Sequence, residues 1–152
     1  MAAARELYAQ NPCPAHRRFG PDFPGYFDYR LEIEAWLYER FVALGGQPET
    51  AHPLYFAVQS CDSLRRNFAD SREYRVKLSR IDPRKVSFTW GDSMAQRERD
   101  ALQPPFLLCD LQRELQQSGD AASFFERVAK QYACIEAQLW MEDISSEPYL
   151  RD

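Results

Sequence analysis

The 152-residue chain contains no run of about 18 apolar residues, so no segment is built to cross a bilayer as a helix. Its opening, MAAARELYAQ, lacks the apolar core that precedes a secretory cleavage site, and a cytoplasmic protein is expected. Histidine is scarce, with only His16 and His52. The four cysteines, Cys13, Cys61, Cys109 and Cys134, include no CxxC pair, which removes zinc ribbons and thioredoxin-like centres from consideration. Cys13-Pro-Ala-His16 has the spacing of half a metal site, but a closed zinc site takes four ligands and the second half is missing. GxGxxG, GxxxxGK, HExxH and GxSxG are all absent, so dinucleotide folds, P-loops, zincins and serine hydrolases of the elbow type have no support. No cofactor or metal is expected from these patterns.

A net charge of -4 weighs against a general polyanion binder. Basic residues nevertheless crowd the stretch from Arg65 to Lys85, and the tail from Glu136 onward is acidic. A phosphate-binding patch is one reading of the basic stretch. A solvated strand face is the plainer one, because alternation along a strand already accounts for Arg75 and Lys77. General nucleic-acid binding is not expected.

What the chain does have is apolar and aromatic material, 45% and 14% of its residues, enough for one ordinary core. A single domain over 1–152 is expected, with residues 1–27 as an irregular arm. That arm carries Pro12, Pro14, Pro21 and Pro24, and proline removes an amide donor and biases its predecessor away from helix. From Asp28, a natural N-cap, the residues Tyr29, Ile33, Trp36, Leu37, Phe41 and Leu44 recur at helical steps until Gly45-Gly46. HPLYFAVQS reads as a buried strand, and Cys61 to Phe68 as a short helix. Tyr74, Val76 and Leu78 alternate with Arg75, Lys77 and Ser79, the pattern of a half-buried strand. The IDPR link is short enough to pair that strand antiparallel with Lys85 to Trp90. SMAQRERDALQPP reads as a surface helix or loop. Asp110 and Asp120 are placed to cap helices ending near Gln117 and Tyr132. In CIEAQLW, Ile135, Ala137 and Leu139 point inward, and Glu136, Gln138 and Trp140 point outward. The fold class is therefore α+β, with a mixed or mainly antiparallel sheet of at least four strands (53–59, 73–79, 85–90, 134–140) and about four helices.

Two places have chemical potential. Cys61 follows a strand at a helix start, where amide groups favour a thiolate, but the adjacent Asp62 opposes the anion and a packed thiol is the simpler reading. The second place is the strand face shared by Ser87, Thr89, Glu136 and Gln138. With Trp90 or Trp140 as a wall, such a face could hold a sugar or a nucleotide, its carboxylate stabilising positive charge at an anomeric carbon. An ordinary solvent face is the competing reading. In KVSFTWGDSM, Gly91 is free to take a positive φ and Asp92 to bond nearby amides, so any pocket begins at this corner.

GGQP at 45–48, HPLYF at 52–56, SFTWGDSM at 87–94 and IEAQLW at 135–140 resemble a family of small, uncharacterised bacterial proteins, a resemblance that implies no activity. A weaker similarity is to the ADP-ribosyltransferase-like fold, through the order His52, Ser87-Phe88-Thr89, Glu136. It implies NAD in a cleft between two small sheets, with Glu136 catalytic. Expected on these grounds is a small-ligand-binding or protein-interaction module, with an NAD-using transferase as the alternative. The candidate ligand contacts are His52, Ser87, Thr89, Trp90 and Gln138.

Overall fold

The computed structural model describes residues 23–59, 61, 74–95, 103–142 and 144. The Pro-rich arm up to residue 22, the helix expected after Cys61, most of the basic stretch and residues 96–102 lie outside the described residues. Among those described are three α-helices, α1 (Phe23–Ala43), α2 (Leu108–Gln117) and α3 (Ala121–Tyr132), and three strands, β1 (Leu54–Val58), β2 (Val86–Trp90) and β3 (Ile135–Leu139). The fold is α+β. No described helix is long and apolar enough to cross a membrane.

The sheet has the order β1-β3-β2 and both pairings are antiparallel. The last described strand in sequence is thus the central one. In register, Tyr55 and Ser87 flank Gln138, while Ala57 and Thr89 flank Glu136. Because side chains alternate across a strand, this register sorts the sheet into an apolar face and a polar one.

The apolar face carries Val86, Phe88, Ile135, Ala137 and Leu139, and α2 and α3 cover it with Leu111, Phe124 and Val128. Phe88, Phe124 and Ile135 are completely buried. Trp90 belongs to this side too, stacked at 4.6 Å on Phe106 and 5.4 Å from Tyr132. The opposite face lies under α1. There Ile33, Leu37 and Phe41 form a second core with Trp140, whose ring stacks on Phe41 at 5.8 Å.

Several expectations need correction. Tyr74 to Ser79 is not a strand: Leu78–Arg80 is a turn of 3-10 helix and Tyr74 is 62% exposed. Val76 and Leu78 still pack on the core, so the alternation was real but no described strand pairs with it. IDPR is likewise no hairpin turn. Pro83 starts a 3-10 turn whose Asp82 cap accepts the Arg84 amide at 2.9 Å. The sheet has three described strands rather than four, and three α-helices are described, the fourth expected one lying outside the described residues. α1 begins at Phe23, so Asp28 is inside it rather than capping it, and the expected arm gives up its last five residues to helix. Asp110 sits in the first turn of α2 and reaches back to the Leu107 amide at 3.1 Å. Asp120 does cap α3, accepting the Ser123 amide at 2.8 Å. Phe106, just past Pro104-Pro105, makes a two-bond bridge to Phe88 on the outer edge of β2.

Candidate functional site

The polar face is wired in one direction, and the wiring follows from what each group can donate. The Trp140 indole is donor-only, so its Nε1–H must donate to Ser87 Oγ, at 2.9 Å. Ser87 then donates to Gln138 Oε1 at 2.9 Å. That fixes the amide, leaving both Nε2 hydrogens for Thr89 Oγ1 at 3.0 Å and Glu136 Oε1 at 2.9 Å. Thr89 passes its own hydrogen to the Gly91 carbonyl at 3.1 Å. Every member is satisfied, which is the condition under which a buried polar network rigidifies a core.

Glu136 is where this network ends. Its Oε1 accepts from Gln138, from Ser93 Oγ at 2.6 Å and from the Ser93 amide at 3.3 Å. No described residue donates to Oε2. Burial pushes the Glu136 carboxyl up to about 7; its bonds to Ser93 and Gln138 oppose that rise, and the nearby Asp92 charge adds to it. With Oε1 saturated as an acceptor, the proton taken up near neutral pH belongs on Oε2.

The Gly91-Asp92-Ser93 corner shapes this arrangement. Gly91 has φ +80, its amide donates to the Cys134 carbonyl at 2.9 Å, and an added Cβ would stand 3.1 Å from the Tyr132 carbonyl oxygen. Asp92 accepts the Met94 amide at 2.8 Å. Those two bonds turn Ser93 back under Glu136.

A second polar cluster ties α1 to β1. Glu34, 1% exposed, accepts from Arg30 Nε at 2.7 Å and from the Tyr55 hydroxyl at 3.3 Å. Its other oxygen stands 2.7 Å from His52 Nδ1. An ionised carboxylate only accepts, so Nδ1 carries hydrogen and Nε2 is left as the outer nitrogen of a half-exposed ring. The Arg30 guanidinium lies 4.7 Å above the Tyr55 ring. Burial works against the Arg30 charge, but the bond to Glu34 prevails and its pKa is raised. Tyr55, pushed up by burial and then by Glu34, remains a neutral donor.

The residues singled out from sequence are therefore divided. Ser87, Thr89, Glu136 and Gln138 are brought together on one face. Ser87, Thr89 and Gln138 are wholly buried on that face, where they position Glu136. Trp140, expected outward, is also wholly buried. Trp90 is on the other face, and His52 is joined to Glu34. Sequence reasoning missed Glu34 and Ser93. Glu34 left a signal, a carboxylate within the stripe of Ile33, Leu37 and Phe41 and four residues after Arg30. Ser93 left only its place in the turn. Among the described residues no group of three or more His, Cys, Asp or Glu is placed to hold a metal. No family model, curated protein or solved structure matches the chain.

Proposed function

We propose that the protein is a small-ligand-binding domain whose recognition group is the Glu136 carboxyl, held at the Gly91-Asp92-Ser93 corner. One observation carries this reading: Oε1 takes three hydrogen bonds while Oε2 takes none from the described residues. A carboxyl fixed in this way is pre-organised, so little ordering cost falls on the binding step. Titrating near 7, it donates from Oε2 when protonated and accepts when ionised. Sugars and nucleosides without phosphate, which offer both donors and acceptors, are the ligand class that suits it. Phosphorylated forms are disfavoured by the two carboxylates, Asp92 and Glu136, at the corner.

A melting-temperature screen of sugars and nucleosides at pH 6 and pH 8 tests this. A member of the panel should raise the melting temperature of the wild type and not that of Glu136→Ala. A shift that survives in Glu136→Ala, or no shift across the panel, would sink the reading. The resemblance to the ADP-ribosyltransferase-like fold supports a second reading, in which Glu136 stabilises charge at the ribose of NAD. The complete burial of Ser87 and Thr89 counts against it. Glu136-dependent release of nicotinamide from labelled NAD would favour the enzyme over the binding domain.

A further inference from the structure

We propose that His52 is a phosphoryl-acceptor site: its outer nitrogen, Nε2, takes the phosphoryl group of a phosphoramidate while Glu34 holds the Nδ1 hydrogen behind it. The inference rests on the α1–β1 cluster and stands apart from the ligand-binding reading, since His52 precedes the Leu54–Leu139 end of the ladder and Glu136 lies toward the other end. Backbone and ring are both held. Thr50 Oγ1 donates to the His52 carbonyl at 2.9 Å, Pro53 restricts the His52 backbone, and Glu34 Oε2 accepts Nδ1–H at 2.7 Å. The Glu34 side chain is 1% exposed and that of His52 44%, so a buried anion is joined to an imidazole whose far edge meets solvent.

That arrangement suits covalent addition at Nε2. As Nε2 adds to an electrophile the ring becomes cationic, and a carboxylate already placed on Nδ1–H stabilises the charge as it develops. The choice of electrophile follows from the neighbours. Arg30 spends Nε on Glu34 at 2.7 Å and its side chain is 33% exposed, which leaves the Nη fork to match phosphoryl oxygens. An uncharged acyl donor would leave that cation unused. The leaving group follows from Tyr55, which already donates its hydroxyl hydrogen to Glu34 and is held protonated by burial, so it has no proton to give an alkoxide. A phosphoramidate needs none, because its nitrogen already carries the extra proton in the zwitterion. Nε2 gives its lone pair to phosphorus, the P–N bond breaks, and the electron pair leaves with ammonia. The product is an imidazolium with the phosphoryl group on Nε2 and hydrogen on Nδ1, ion-paired to Glu34; nothing is oxidised or reduced.

The test incubates the full-length protein with potassium phosphoramidate and reads the labelled peptide, the ring position and the rate by mass mapping and phosphorus NMR, with N-acetylhistidine as the unassisted imidazole. His52 should be labelled on Nε2 at least about tenfold faster than N-acetylhistidine, the scale on which a carboxylate behind an imidazole acts. Glu34→Gln should abolish that advantage, because its amide can donate to Nδ1 and move the ring hydrogen to Nε2. Arg30→Lys should slow labelling without changing its position. A rate no greater than that of N-acetylhistidine, a product on Nδ1, or labelling of His16 in preference to His52 overturns the proposal. So does a folded Glu34→Gln or Arg30→Lys protein that reacts as fast as the wild type. The wild-type rate and position decide the matter even if neither variant folds.

Discussion

The two faces of the sheet are buried to the same degree and by different means. Phe88 and Ser87 are neighbours on β2 and both are completely buried, yet one meets Phe124 and Ile135 and the other Gln138 and Trp140. Apolar contacts are non-directional, so the α2–α3 side needs only matching volume. Under α1 each hydrogen has one destination, and a change at one residue leaves its partner unsatisfied. The faces should therefore answer differently to substitution: the first in proportion to atoms removed, the second according to which bond is broken.

The largest effects test whether the polar face is held by its charges. Removing the Phe88 ring as Phe88→Ala should cost about 3–5 kcal/mol in denaturant unfolding, as for other buried aromatics. Arg30→Met, which keeps the apolar stem, should cost about as much, roughly 3 kcal/mol or more, because Glu34 keeps its burial and loses its cation. Adding Glu34→Gln to Arg30→Met should recover most of that loss. A cost below about 1 kcal/mol for Arg30→Met would show that the ties from Glu34 do not hold α1 down.

pH comes next. Glu136 has a folded pKa of about 7 against an ordinary value of 4.5, so the folded chain binds its proton more tightly than the unfolded chain. The resulting stability is fully present below about pH 4.5, declines as pH rises, and is gone above about pH 7. The fall is on the order of 3 kcal/mol at most. Glu136→Gln should flatten it, because the new amide can turn its oxygen toward Ser93 and Gln138. An unchanged pH profile in Glu136→Gln would assign the decline to other groups.

The smallest contrast sets shape against direction. Gln138→Leu nearly conserves volume but takes away the acceptor for Ser87, and should cost about 2 kcal/mol. Ile135→Val, one methyl smaller on the apolar face, should cost about 0.5–1.5 kcal/mol. If the order of the two reverses, the polar face is no more specific than the apolar one.

Much of this division was legible in the sequence. Alternation alone placed Ser87 and Thr89 opposite Phe88, and Glu136 and Gln138 opposite Ile135, and three strands were found near their observed positions. The cover over the polar face was not legible. Polar alternation in an antiparallel strand ordinarily marks a solvent face, and only the carboxylate within the apolar stripe of α1 announces that this helix has polar company. Tyr74 to Ser79 misled for the converse reason. Its alternation reflects packing of Val76 and Leu78 on the core, and alternation carries no information about whether a hydrogen-bonding partner is present. The direction of the network from Trp140 to Glu136 required three-dimensional proximity between residues far apart in the chain.

The central place of β3 also governs how the molecule assembles. Among the described strands β1 and β2 do not pair with each other; each pairs with β3, a strand that follows β2 by more than forty residues, across α2 and α3. Both ladders are therefore long-range closures whose entropy must be lost before any pairing compensates it, which slows folding. On the ribosome, β1 and β2 emerge first and their inner edges wait unpaired until β3 appears and slides between them. The sheet then forms in a single late step, and interception of nascent chains before that step is the point at which this protein is most exposed to misassembly.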